Sequence, residues 1–260
     1  MTALPPRLRV RFGHLWVDAL TFEEAIDRIA ALVASGRGGS VFTPNVDHVV
    51  TAEDDPAFRA AYAEADLSLA DGQPLVWCSR LLGARIPAKI SGSDLVWPLL
   101  ERAAREGWGV YLLGGAPGSA EIAARRIERE LGVRVAGLDA PLVPLDGSAG
   151  EDPVAERVRA SGAQLVLVAL GAPKQERWIH RSLPRVRPAV AIGVGATIDF
   201  IAGRVHRAPR WMSRSGLEWL YRLLQEPRRL AGRYLLKDPR FLGILVRTAV
   251  SPRGSRVKAG

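Results

Sequence analysis

Asp71 follows the apolar run Leu67 to Ala70 and precedes Gly72, an order that places a carboxylate at the mouth of a buried strand. A carboxylate there can act as a general base when partial burial raises its pKa toward the working pH. The same spacing suits an N-cap for a helix containing Leu75 to Leu82. Asp199, after Gly193-Val-Gly195-Ala-Thr-Ile, has the same two readings. Gly114-Gly115-Ala-Pro-Gly118 joins an apolar strand to a helix from Ser119, where glycines let backbone N–H groups approach a phosphate. Simple turn chemistry explains that loop equally well. It is not a P-loop, and no GxGxxG on the first strand precedes an acid about 20 residues on, which weighs against a nicotinamide-dependent oxidoreductase. The four histidines (His14, His48, His180, His206) lack ligand spacing, and there is no Asp-x-Asp pair. No metal and no other cofactor is expected. A departing diphosphate would then be neutralised by Arg, Lys and backbone donors.

These residues need a frame, and the apolar pattern supplies one. β-like runs at Leu8 to Phe12 and Leu15 to Val17 lead into a helix capped by Thr21, with Glu24 completing a capping box and Ile26, Ile29, Ala30 and Val33 forming its stripe. Strand Ser40 to Pro44 follows. Helices at Ala57–Ala65, Asp94–Glu106, Ser119–Leu131, Pro153–Ala160 and Lys174–Ser182 then alternate with apolar runs at Leu67–Ala70, Gly109–Gly114, Val133–Leu138, Gln164–Gly171 and Ala189–Gly195. Runs that are apolar throughout belong to a parallel sheet covered on both faces. The expected fold is α/β: a Rossmann-like, doubly wound, mainly parallel sheet with a basic helical C-terminal appendage. Ligands of such sheets bind beyond the carboxyl ends of the strands. Five of the runs end there in polar or Gly-rich turns, more than turn chemistry alone requires.

The charge is uneven. The chain of 260 residues carries a net charge of +9, yet residues 201–260 hold 14 Lys and Arg against three acids, and the preceding 200 residues hold 22 against 24. The basic quarter seeks phosphate: nucleic acid, anionic lipid or a diphosphate substrate. In it, Leu217, Leu220, Tyr221 and Leu224 share a helical face, as do Arg207, Arg210 and Arg214. Trp211, Trp219, Tyr221, Tyr234 and Phe241 interleave, and Pro227 and Pro239 cut the segment into short helices. That composition suits a membrane interface, although packing on the domain would use the same apolar faces. No apolar run approaches the roughly 20 residues of a membrane span, the N-terminus lacks a secretory core, and the lone Cys78 allows no internal disulfide. The expectation is a cytoplasmic protein peripherally associated with the membrane.

Taken together, TPNVDHVV (Thr43 to Val50), ADGQPLVW (Ala70 to Trp77), SGSDL (Ser91 to Leu95), LLGGAPG, LGAPKQERW (Leu170 to Trp178), GVGATIDFIAG (Gly193 to Gly203) and RAPRW…GLEWLYRLLQEPRR resemble the WecG/TagA/CpsF glycosyltransferases. The resemblance runs in unbroken order from about Leu8 to about Phe241. It implies metal-independent, inverting transfer of an N-acetylmannosamine-type sugar from UDP to a polyprenyl-diphosphate-linked sugar in cell-surface polysaccharide or teichoic acid synthesis. By motif, Asp71 matches the base, Thr43, Asn45 and Gln175 match pocket residues, and Arg222 and Arg229 match groups that engage the diphosphate. Lys89 stands where the family commonly has Arg; it keeps the charge but not the bidentate fork. Gly114, Gly115 and Asp199 complete the expected substrate-binding set.

The expected organisation is a catalytic core over 1–203, a basic helical appendage over 204–250 covering the site and contacting the membrane, and a disordered tail over 251–260. Cutting the chain at about Arg204 would then leave a folded core. The expected partners are the UDP-sugar donor, the lipid-linked acceptor and the inner face of the cell membrane, with no nucleic acid; a homo-oligomer is compatible with the sequence. Two competing readings are a UDP-sugar transferase with a soluble acceptor and a basic nucleic-acid-binding protein. The second is disfavoured because the arginines sit among Leu, Trp and Tyr and the rest of the chain is slightly acidic.

Overall fold

The computed structural model describes residues 6–140, 153–206, 208–209, 211–212, 215–252, 254 and 256–260. Six apolar runs pair into one all-parallel sheet: β3 (Gly39–Phe42), β4 (Leu67–Ser68), β5 (Val110–Gly114), β6 (Val135–Asp139), β7 (Leu165–Ala169) and β8 (Val190–Gly193), in spatial order β4-β3-β8-β7-β5-β6. Alternation along the strands splits the core in two. Tyr111, Leu113, Val166, Val168 and Ala191 face one layer of helices, and Val110, Leu112, Leu165, Leu167, Val190 and Ile192 face the other. The first layer holds α2 (Val46–Asp54), α3 (Pro56–Ala63), α7 (Pro153–Ala160) and α8 (Lys174–Val186). The second holds α1 (Phe22–Ala34), α5 (Gly92–Glu106), α6 (Ser119–Leu131) and the short α9 (Thr197–Ile201). This is the expected doubly wound sheet.

Local chemistry accounts for the element ends. Thr21 and Glu24 form the expected reciprocal cap of α1. α7 and α6 begin and end where the sequence pattern places them. α8 runs past Ser182 to Val186, carrying Pro184 inside it. β4 is shorter than the expected Leu67 to Ala70, although Leu69 still bridges to Asp18. α2 was not expected. It starts at Asn45, whose Oδ1 accepts from the His48 N–H (3.3 Å) while His48 Nδ1 accepts from the Asn45 N–H (3.0 Å). The signal was an Asn before Val46, Val49 and Val50 at helical spacing.

The two ends of the chain meet in a second, three-stranded sheet. β1 (Leu8–Phe12) pairs antiparallel with β2 (Leu15–Asp18) on one side and with β9 (Val257–Ala259) on the other. Residues 251–260 therefore contain a strand rather than a wholly disordered tail, because the free edge of β1 offers its backbone groups a partner. Before β9 come α10 (Glu218–Gln225), α11 (Pro227–Gly232), a π-helical turn (Arg233–Lys237) and α12 (Arg240–Ala249). Phe241, Ile244 and Leu245 of α12 are buried in the first core layer with Phe12, and the Thr248 hydroxyl accepts the Gly13 N–H. The end of the chain completes the core instead of hanging from it.

Candidate active site

The topology gathers the singled-out residues along one edge. β5 is followed by a connection running outward to β6 on one face, and its neighbour β7 by one running inward to β8 on the other face. Such a switch opens a crevice at the carboxyl ends of the strands. Along that edge lie Asp71 after β4, Thr43 and Asn45 after β3, Gly195 and Asp199 after β8, Gln175 after β7, and Gly114-Gly115 at the end of β5.

At the β4–β3 end there is a cavity of about 390 Å³, a volume suited to a small-molecule site. Asn45, Asp71, Gly72 and Lys89 line one side, and Glu218, Trp219, Arg233, Tyr234, Pro239 and Leu242 of the C-terminal segment line the other. Asp71 is held by its backbone: its N–H donates to the Pro44 carbonyl (2.8 Å), and the Ala70 carbonyl accepts from Ile90 (2.7 Å). The N-cap reading of Asp71 fails. The helix over Gln73–Ser79, α4, begins at Gly72 with no side-chain cap. Gly72 sits at φ 134°, a conformation that side-chain-bearing residues rarely adopt. The sharp turn it permits puts Asp71 at the rim.

Lys89 Nζ lies 3.3 Å from Glu218 and 3.4 Å from Asp94. Burial lowers the pKa of its ammonium, but Asp71, Glu218 and Asp94 outweigh this and hold it above its ordinary value, so the side chain is charged. Because Glu218 belongs to α10, Lys89 also docks the C-terminal segment on the core.

Arg233 is the residue that the sequence reading missed. Its Nη2 donates to Asn45 Oδ1 (3.3 Å), and its guanidinium lies over the Tyr234 ring. Its neighbour Lys237 pairs with Asp47 (2.7 Å) and donates to the Thr51 hydroxyl (2.7 Å). Arg240 makes a two-pronged bond to Asp54, and Arg247 bonds Glu53 (2.6 Å). Part of the basic excess therefore grips the acidic helix α2 and holds one cavity wall in place. Only spatial proximity to α2 reveals this. The side chains of Arg222 and Arg229, and residues Arg207, Arg210 and Arg214, lie outside the described residues.

The other expected residues are not among those lining this cavity. The Thr43 hydroxyl donates to the Gly193 carbonyl (3.1 Å), tying β3 to β8. The Gln175 amide donates to Glu176 (2.8 Å) and accepts from the Gly195 N–H (3.1 Å). Asp199 is not an N-cap either; it lies in the first turn of α9 and accepts the Ala116 N–H (2.8 Å). With the Gly115 N–H also bonded to the Ala169 carbonyl (3.0 Å), two amides of the Gly-rich loop are already engaged. Gly114 is needed for packing, since a Cβ there would stand 2.5 Å from the Ala169 oxygen. The loop is thus explained by close approach of β5 and β7, and Arg204, near Gly118 at the start of α6, is the cation beside it.

Behind Asn45 lies a buried polar cluster. His48 Nε2 is 3.8 Å from Glu176 Oε1, and both side chains are sealed from solvent. Burial pushes the His48 imidazole down to about 4, with Asp47 opposing, and pushes the Glu176 carboxyl up to about 7. The two effects on stability have opposite signs. The Glu176 contribution is full below its ordinary carboxylate value and is lost as pH rises through about 7. That of His48 is full above its ordinary imidazole value and is lost as pH falls through about 4. In thermal melts, Glu176→Gln should therefore gain on the wild type as pH rises to about 7, and His48→Gln should gain as pH falls toward about 4. Parallel melting curves for all three proteins would refute this pairing.

The doubly wound parallel sheet, with Asp71 and the cations Lys89 and Arg233 at its carboxyl edge, defines an α/β protein whose ligand crevice lies at that edge. The chain matches the sequence model of the glycosyl transferase WecG/TagA/CpsF family over residues 10–255. It belongs to that family and is a glycosyltransferase.

Proposed function

We propose that this glycosyltransferase moves an N-acetylmannosamine-type sugar from a UDP donor, with inversion, onto a polyprenyl-diphosphate-linked sugar. The observation that carries the reading is the two-sided cavity: Asp71, Asn45, Lys89 and Arg233 at its polar end and Trp219, Tyr234, Pro239 and Leu242 along its wall. A charged headgroup joined to an apolar chain is the ligand that such a wall complements. Asp71 takes the proton of the acceptor hydroxyl as its oxygen attacks the anomeric carbon. The bond from that carbon to the UDP oxygen breaks on the opposite face, so the configuration inverts. Charge developing on the diphosphate is met by Arg233, with Arg222 and Arg229 carried over from the family motif. The donor would lie along the edge toward Gly114, Gly115, Gln175 and Asp199. At about 4.8 Å per strand, that edge spans roughly 19 Å from β4 to β5, the scale of a nucleotide diphosphate sugar.

Incubation with a panel of UDP-sugars and a short-chain polyprenyl-diphosphate sugar, read by mass spectrometry, tests the reading. One donor should give a product, and NMR of the new linkage should show inversion. The reaction should persist in excess EDTA, since among the described residues no His, Cys, Asp and Glu group is arranged to hold a metal. Loss of activity restored by Mg²⁺ would overturn the metal-free account.

No helix among the described residues is long and apolar enough to cross a membrane. Exposed Leu224, Leu235, Leu236, Val246 and Val250 on the C-terminal segment support peripheral contact with the inner face of the membrane. The protein should sediment with anionic liposomes and be released by salt. Failure to bind, with transfer to a water-soluble acceptor intact, would favour the soluble-acceptor reading.

A further inference from the structure

We infer that Glu176 is a positioning residue for transfer: through His48 on one side and Gln175 on the other, its buried carboxyl holds Asn45 and the Gly195 turn in place behind the cavity. The inference rests on reading that cavity as the site of transfer.

The geometry is a chain of contacts across three strand ends. The Gly195 N–H donates to Gln175 Oε1 (3.1 Å), and Gln175 Nε2 donates to Glu176 Oε1 (2.8 Å). The same oxygen faces His48 Nε2 at 3.8 Å. His48 Nδ1 accepts the Asn45 N–H (3.0 Å), so in the neutral ring the proton resides on Nε2, toward Glu176. Asn45 Oδ1 in turn receives Arg233 at the cavity (3.3 Å). Glu176 thus sits between the turn after β8 and the residue that meets Arg233.

A carboxyl in this position needs an explanation. Its relative exposure is 0 %, and Oε2 has no hydrogen-bond partner among the described residues. A neutral residue of similar shape would relieve the desolvation of a buried charge. Oε1, by contrast, accepts from Gln175 and lies 3.8 Å from His48 Nε2, too far for a hydrogen bond but near enough for an ionised carboxylate to attract the ring N–H more strongly than a neutral group does. The charged and titratable groups around the pair come from several elements. Asp47 and His48 lie on α2 and Tyr62 on α3, Asp71 follows β4, and Arg233 and Lys237 belong to the C-terminal segment. The Thr43 carbonyl is a further acceptor for the His48 ring. Ionisation of Glu176 tightens its hold on both donors, so the cavity wall should be better ordered above its transition than below it.

The experiment uses the full chain in two arms. In the first, the ¹⁵N resonances of the His48 ring are followed from about pH 5 to about pH 9, spanning the ordinary titration range of imidazole. The wild type should show a neutral ring protonated on Nε2 whose shifts move through about pH 7 as Glu176 ionises, and Glu176→Gln should lose that step. In the second, kcat and KM for sugar transfer are measured over the same range. The wild type should show an acid limb in kcat near pH 7. In Glu176→Gln the limb should vanish and kcat fall about ten- to hundredfold, the cost of a small misplacement, with KM nearly unchanged. His48→Gln, which keeps a capping side chain but loses Nε2–H, should also lose the limb and serves if Glu176→Gln does not fold. A His48 ring blind to Glu176 overturns the inference, as does an unaltered limb in both variants. Loss of kcat, KM and melting temperature together, with the limb intact, marks a merely structural role and also overturns it. If no donor is transferred by the wild type, the reading of the cavity fails while the first arm still decides the contact.

Discussion

Asp71→Asn should abolish sugar transfer while leaving the cavity and its ligands in place. The side chain stands at the rim on a turn fixed by Gly72 and by two backbone bonds, and it caps no helix. The substitution removes the proton acceptor and one of the three charges that hold Lys89 above its ordinary pKa, while Glu218 and Asp94 remain beside Lys89. Loss of a general base typically lowers the rate by about 10²–10⁴-fold. Donor binding, measured by calorimetry with UDP, should stay within a few-fold of the wild type. Near wild-type turnover in the variant would remove Asp71 from the mechanism. Asp199 would not replace it readily, because its carboxylate already holds the Ala116 N–H.

Removing residues 240–260 should unfold the protein rather than trim it. The cut takes Phe241, Ile244 and Leu245 out of the first core layer and exposes Phe12 and the edge of β1. Each such side chain contributes roughly 1.5–3 kcal/mol by burial, against a total stability of about 5–15 kcal/mol for a typical domain. The cut also removes the acceptor of the Gly13 N–H and the arginines that bond Glu53 and Asp54, Arg247 and Arg240. Circular dichroism should show a low, broad transition or none. Ending the chain after Val250 removes only β9 and its flanks, so it should lower the melting temperature far less. A sharp melt near that of the full chain for the shorter form would mean that the C-terminal quarter is dispensable. That outcome would restore the expectation that a cut near Arg204 leaves a folded core.

The parallel sheet and most of the helices that cover it were legible in the sequence, whereas α2 and β9 were not. Continuous apolar runs alternating with amphipathic helices admit few other arrangements, and polar or Gly-rich turns after five runs mark the ligand edge. The family was legible too, because a long ordered set of motifs is far more specific than any one loop. Several assignments could be decided only by tertiary structure, because each depends on what a side chain meets across the fold. Gly114 and Asp199 have the types expected of ligand-binding residues, yet each meets another part of the protein, the Ala169 carbonyl and the Ala116 N–H. Arg233 is one arginine among many in a basic segment until the fold brings it to Asn45 at the cavity. Glu176 reads as one more charged residue in the first turn of a helix, and burial beside His48 turns it into a titrating group near neutral pH. Residue type and local spacing determine most of the elements and the edge at which the polar and Gly-rich turns gather. Which carboxylates remain available for chemistry depends on long-range neighbours, and those exist only once the chain has folded.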